Sequence, residues 1–194
     1  MKLQDLFKKR SRIDYIIYVA VIVAGIVIDQ LTKWIVVNSM ELYESIVLIP
    51  KVFSFTYIHN YGAAWGMFSE HRWIFILITT LALIIMPIIL YRYRKVHVLF
   101  SLSLSLFIGG AIGNLIDRIF VGYVVDFLEF TFISFPVFNV ADICVVCGAG
   151  IMMVYALFFD KTFFVDKKPA PVTANAEEGS DDDGTNQKNT DHGN

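Results

Sequence analysis

The sequence predicts a mainly α-helical, polytopic membrane protein with four transmembrane helices, a small sheet on its outer face and a disordered C-terminal tail. Three observations support that prediction. Hydrophobic residues make up 56% of the 194-residue chain and charged residues only 18%, a balance that a water-facing surface of this size does not accommodate. Four separate apolar runs approach the roughly 20 residues a helix needs to cross hydrocarbon. The basic residues between those runs fall almost wholly on one side of the resulting map.

Taken in order, a basic stub (1–12) precedes the first span, Asp14 to Val37. That span begins like a signal peptide, but no small-x-small cleavage site follows, and Asp29, Gln30 and Lys33 continue the helix, so it is read as retained. The outer loop 38–72 contains a β-prone run rich in Tyr, Phe, Ile and Val that breaks at Pro50, which predicts a small sheet resting on the membrane surface. Trp73 to Tyr91 is the second span, and Pro87 removes a backbone donor near its inner end, predicting a kink. Val98 to Ile119 and Asn139 to Phe159 are the third and fourth, separated by the outer loop 120–138. Each is helical by necessity, because a lone segment in lipid must satisfy its own backbone hydrogen bonds.

Lys2, Lys8, Lys9, Arg10 and Arg12 precede the first span, Arg92, Arg94 and Lys95 lie between the second and third, and Lys161, Lys167 and Lys168 follow the fourth. The opposite side holds Lys51 and Arg72. Basic residues stay in the cytoplasm, so both termini are expected inside and both long loops outside. The domain boundaries follow: stub 1–12, membrane domain 13–160, and a tail 161–194. From Pro169 the tail is polar, acidic and aperiodic, and it has too little apolar surface to fold.

Several function classes drop out. Nucleic-acid binding needs a basic face with interleaved aromatics, which the short flanking clusters do not supply. Cys144 and Cys147 form a CxxC, but inside an apolar run they read as reduced thiols packed in a helix. The chain has no GxSxG elbow and no HExxH, and His59 and His71 lack partners at metal-ligand spacing and read as interfacial.

The informative residues are the ionisable ones inside the spans, since each costs about 2.5–3.5 kcal/mol on insertion scales. Asp29, Lys33, Asp117, Arg118 and Asp142 all map to the outer ends of their helices. Asp29 and Lys33 stand at i and i+4 in the favourable order for an ion pair, although Lys33 has the alternative of snorkelling to the headgroups. Gly109 to Gly113 makes a GxxxG that permits close helix contact. Asn114, Asp117 and Arg118 follow on one face, where Asp117 reads as a buried lock with Arg118 or Lys33. Asp126 lies in the outer loop among apolar residues. Asn139 and Asp142 have the spacing of an N-cap and its N3 acid, so capping competes with catalysis for Asp142.

The segments Asp29-Gln-Leu-Thr-Lys33, Asn60-Tyr-Gly-Ala-Ala, Gly113-Asn-Leu-Ile-Asp-Arg118, Val124-Val-Asp-Phe127 and Phe138-Asn-Val-Ala-Asp142 together resemble the lipoprotein signal peptidases, or signal peptidase II. The resemblance runs from about residue 13 to 160; Trp65 stands where that family often has Phe. It implies a four-helix aspartyl peptidase of the bacterial inner membrane with an extracytoplasmic β-cradle. Such a peptidase cuts prolipoproteins before a diacylglyceryl-modified cysteine. By resemblance the catalytic pair falls on Asp126 and Asp142, the supporting or substrate-binding set on Asp29, Lys33, Asn60, Gly62, Asn114, Arg118 and Asn139, and Asp117 is structural. The implied partners are lipidated prolipoproteins and membrane lipids, the implied state is a monomer, and neither metal nor cofactor is implied.

Two carboxyls within hydrogen-bond reach share a proton, so one can act as base and the other as acid. The helix start favours charge on Asp142 and leaves the proton with Asp126. A proton- or ion-coupled transporter is the alternative from another class, but it predicts polar groups spread through the membrane depth. A scaffold protein leaves the clustered acids unexplained.

Overall fold

The computed structural model describes residues 12–62, 72–92 and 97–159. The basic stub before Arg12, Trp65, His71, Arg94, Lys95 and the tail from residue 160 onward lie outside the described residues. The elements are α1 (Arg12–Ser39), β1 (Ser45–Ile49), β2 (Phe53–Asn60), α2 (Arg72–Arg92), α3 (Val98–Phe120), β3 (Val124–Phe130) and α4 (Val140–Phe158). All four helices are long and apolar enough to cross a membrane. Pro87 lies within α2, which runs as one helix from Arg72 to Arg92.

Helix α3 contacts each of the other three helices, and small residues allow it to do so. A Cβ on Gly109 would lie 3.1 Å from the Ile22 carbonyl oxygen of α1. One on Gly113 would strike the Asp29 carboxylate, and one on Gly110 the Ala141 carbonyl oxygen of α4. The glycine run therefore lets both α1 and α4 approach α3 at backbone distance, as expected of small residues at a helix interface. Away from the sheet, Leu90 of α2 packs against Leu104 and Ile108 of α3 in an apolar cluster.

The strands form one antiparallel sheet in the order β1-β2-β3. β1 and β2 join through a tight turn in which Val52 N donates to Ile49 O at 3.0 Å. Pro50 sits at its first central position and Lys51, with φ 61°, at its second. That combination is a type II turn, in which a non-glycine residue bears the positive φ. Val36 at the end of α1 packs on Tyr57, Val125, Phe127 and Leu128, so the sheet covers one end of the bundle.

The third strand is a finding the sequence analysis did not anticipate, since 120–138 reads there as a loop. Gly122, with φ 92°, turns the chain out of α3, and its N–H and that of Val121 both bond the Asp117 carbonyl. Val124 to Leu128 is buried without interruption. A strand covered on both faces lacks the apolar–polar alternation by which strands are recognised. Asp126 is thus a sheet residue, paired with Ile58 of β2.

Candidate active site

The polar residues that the sequence places at the outer helix ends converge where the sheet meets the bundle, in two adjoining groups. The first is built on Lys33, which is 3% exposed. Its Nζ lies 2.9 Å from Asp29 Oδ2, 2.9 Å from Asp117 Oδ2 and 2.8 Å from Asn114 Oδ1. Three acceptors saturate the three N–H bonds of an ammonium. The snorkelling alternative for Lys33 is therefore corrected: the group turns inward to two carboxylates, which offset the cost of burying it. Of the two partners considered for Asp117, Lys33 holds the ion pair.

Each acid of this cluster also fixes a neighbouring element. Asp29 Oδ1 accepts from Ala141 N at 2.9 Å, tying α1 to α4, and Asp117 Oδ2 accepts from Val125 N at 3.2 Å, tying α3 to β3. Gln30, given no role in the sequence analysis, donates to Asp117 Oδ1 at 2.9 Å and to Gly113 O at 3.1 Å. Its position between Asp29 and Lys33 in an apolar helix was the available signal.

The second group contains Asp126 and Asp142. Asp126 is 1% exposed, and its carboxyl accepts from Asn139 Nδ2 at 2.6 Å and Asn60 Nδ2 at 2.8 Å. Gly62 N donates to Asn60 Oδ1 at 2.9 Å, which turns the amide N–H bonds of Asn60 toward Asp126. Burial, reinforced by the negative charge of Asp142, pushes the Asp126 carboxyl up to about 7 against hydrogen bonds from Asn60 and Asn139 and the charge of Lys33.

Asp142 accepts from Asn139 N at 3.1 Å and from Asn114 Nδ2 at 2.9 Å, while Asn139 Oδ1 accepts from Asp142 N at 3.0 Å. The capping box is therefore present, and it leaves Asp142 facing the same cavity as Asp126. Capping and exposure to the cavity are compatible, because one carboxyl has lone pairs for both. Asn139, fully buried, holds Asp142 by its backbone and Asp126 by its side chain.

That cavity measures about 380 Å³ and is also lined by Asn60, Gly62, Phe75 and Arg118 and by residues 135–138. Arg118 donates to Asn114 O at 3.2 Å and approaches Gly62 O at 3.4 Å, with its guanidinium 5.4 Å from the Phe75 ring centroid. A second cavity of about 450 Å³ shares Phe135, Phe138 and Asp142 with the first and is otherwise apolar, lined by Phe53, Leu128, Phe130, Ile143, Val146 and Cys147. The aromatic walls were not identified from sequence; loop phenylalanines give no periodic signal. Cys144 and Cys147 are free thiols.

His59 lies on the sheet, stacked on Tyr123 at 3.6 Å between ring centroids, with Nε2 2.8 Å from the Tyr57 hydroxyl. Burial shifts its imidazole below the ordinary histidine range. Among the described residues, no three His, Cys, Asp or Glu side chains are grouped to hold a metal ion.

Residues 21–158 match the family model described as signal peptidase (SPase) II. A lipoprotein signal peptidase of Brevibacillus brevis is 49% identical over 139 residues, 72% of this chain and 91% of that protein. One from Symbiobacterium thermophilum is 43% identical over 141 residues, covering 72% and 93% of the two chains. A solved structure described as a bacterial membrane enzyme superposes with a TM-score of 0.68 at 31% identity, covering 79% of this chain and 93% of the other.

Proposed function

Because this chain belongs to the signal peptidase II family of membrane aspartyl peptidases that process prolipoproteins, we propose that Asp126 and Asp142 are its working pair. The observation that supports this most is that the two carboxyls line one cavity, each held by neutral amide donors and neither by an ammonium. Relatives that are peptidases lend no support to the transporter alternative. The scaffold reading likewise leaves this cavity without a purpose.

The division of labour follows from the surroundings. Asp126, pushed up to about 7, holds the proton near neutrality. Asp142 accepts two hydrogen bonds at the start of α4, where the helix dipole favours negative charge. Water entering the cavity gives a proton to the Asp142 carboxylate as its oxygen attacks the scissile carbonyl carbon, while Asp126 donates a hydrogen bond to the carbonyl oxygen. As the C–N bond breaks, Asp126 protonates the leaving amine, and the proton taken from water restores the single proton of the pair. Arg118 places a fixed positive charge on the cavity wall and steadies the peptide backbone through its carbonyls.

The substrate is a prolipoprotein with a diacylglyceryl-modified cysteine. Its acyl chains follow the apolar cavity that adjoins Asp142, since a wall of phenylalanine, isoleucine and valine offers nothing to a polar group. The cut falls before that cysteine. The protein lies in the bacterial inner membrane as a monomer, with both termini in the cytoplasm and the sheet and cavity at the extracytoplasmic face, an orientation that the distribution of basic residues supports. Residues 13–160 then form the peptidase domain between a cytoplasmic stub and tail. The apolar side chains of β1, exposed at every position, rest on the outer leaflet.

Purified protein incubated with a synthetic diacylglyceryl-modified precursor and with its unmodified twin tests both substrate and site. Only the modified peptide is expected to be cut, and Asp126→Asn and Asp142→Asn should each remain folded and inactive. Full turnover by either variant would refute the pair.

A further inference from the structure

The ion cluster and the cavity acids meet at one side-chain amide, that of Asn114. Its Oδ1 accepts from Lys33 Nζ at 2.8 Å and from Asn139 Nδ2 at 3.0 Å, and its Nδ2 donates to Asp142 Oδ1 at 2.9 Å. We propose that Lys33 is a positioning residue for the reaction: by holding the oxygen of Asn114, it fixes the amide so that an N–H faces Asp142. This rests on the reading of Asp126 and Asp142 as the working pair.

Donors and acceptors decide which way the amide faces. An ammonium only donates, and Asn139 Nδ2 only donates, so both demand oxygen at the inner side of Asn114. A flipped amide would set its NH₂ against two donors and its oxygen against a carboxylate that only accepts. Lys33 is itself fixed by Asp29 and Asp117, both 2.9 Å away, so the orientation is imposed by a group that has no freedom to turn. Asp142 thus receives one N–H from the cap of its own helix and one from an amide set by α1. Both bonds favour its acceptor-only form, which is the form that takes a proton from water. Lys33 acts through Asn114, without a contact to the cavity acids among its hydrogen bonds and ion pairs.

Two substitutions test this on the diacylglyceryl-modified peptide. Asn114→Asp keeps an oxygen for Lys33 and Asn139 but loses the N–H to Asp142. It should fold and lower kcat by about 10- to 100-fold, with KM changed by less than about twofold. Lys33→Met should lower kcat per folded enzyme to a similar extent. Combined with Asn114→Ala, it should add less than about twofold, because the relay is already broken. A purely structural Lys33 would instead reduce the folded fraction and leave kcat per folded molecule intact.

Wild-type kcat in Asn114→Asp, or in folded Lys33→Met, overturns the proposal. If Lys33→Met does not fold, Asn114→Asp decides alone. Should Asp126→Asn and Asp142→Asn be inactive while Asn114→Asp keeps full kcat, only the relay fails. Activity in either of the former pair would sink the underlying assignment instead.

Discussion

Four carboxyls crowd the end of the helix bundle under the sheet, and they are treated in two different ways. Asp29 and Asp117 flank one ammonium and also accept from Gln30 and from backbone N–H groups of α4 and β3. Asp126 and Asp142 receive amide N–H donors and border a cavity. The first pair shares one ammonium, which offsets part of its charge, and is employed in holding helices and sheet together. The second is desolvated without a countercharge in contact, which is what pushes the Asp126 carboxyl up to about 7. Proximity to the bilayer does not distinguish the pairs; the placement of Lys33 does.

The largest stability effect should come from removing that compensation. Lys33→Met leaves two buried carboxylates without their ammonium and should cost about 3–5 kcal/mol, read as a lowered melting temperature in detergent. A loss below about 1 kcal/mol would erase the distinction between the pairs. Asp126→Asn should act in the opposite direction. Its folded carboxyl lies near 7, above the ordinary 3.8, so its contribution to stability is full below about pH 4 and is lost as pH rises through about 7. Relative to wild type, the variant should therefore gain on the order of 1–3 kcal/mol between pH 4 and pH 8, starting from a deficit near pH 4 because its NH₂ faces the Nδ2 of Asn60 or Asn139. Of similar size, Gly113→Ala should cost about 1–3 kcal/mol, because a Cβ there strikes the Asp29 carboxylate and disturbs the compensated pair first. Unchanged melting would mean that α1 and α3 have slack at this point.

These two regions were also unequally legible in the sequence. The compensated pair could be read in part: Asp29 and Lys33 are one helical turn apart and a glycine run on α3 announces a close neighbour, while the partner of Asp117 stayed open between Arg118 and Lys33. The four spans were equally plain, because length and apolarity alone define them. The open pair was harder. Asp126 looked like a loop acid because its strand is buried on both faces, and its partner Asn60 is supplied by a strand 66 positions earlier. Asp142 offered a sufficient local explanation as the N3 acid of a capping box, which the structure contains. What spacing does not show is that Asn139, in capping α4, also holds Asp126. Gln30 and the phenylalanines that form the cavity walls were missed because their roles depend on tertiary approach.

The contrast between the pairs is tested most directly by infrared difference spectroscopy of wild type against Asp126→Asn between pH 4 and pH 9. The wild-type protein should show a protonated-carboxyl C=O band that disappears with a midpoint near 7, and the variant should lack it. A wild-type band already gone by about pH 5, the ordinary range for an exposed carboxyl, would contradict the account.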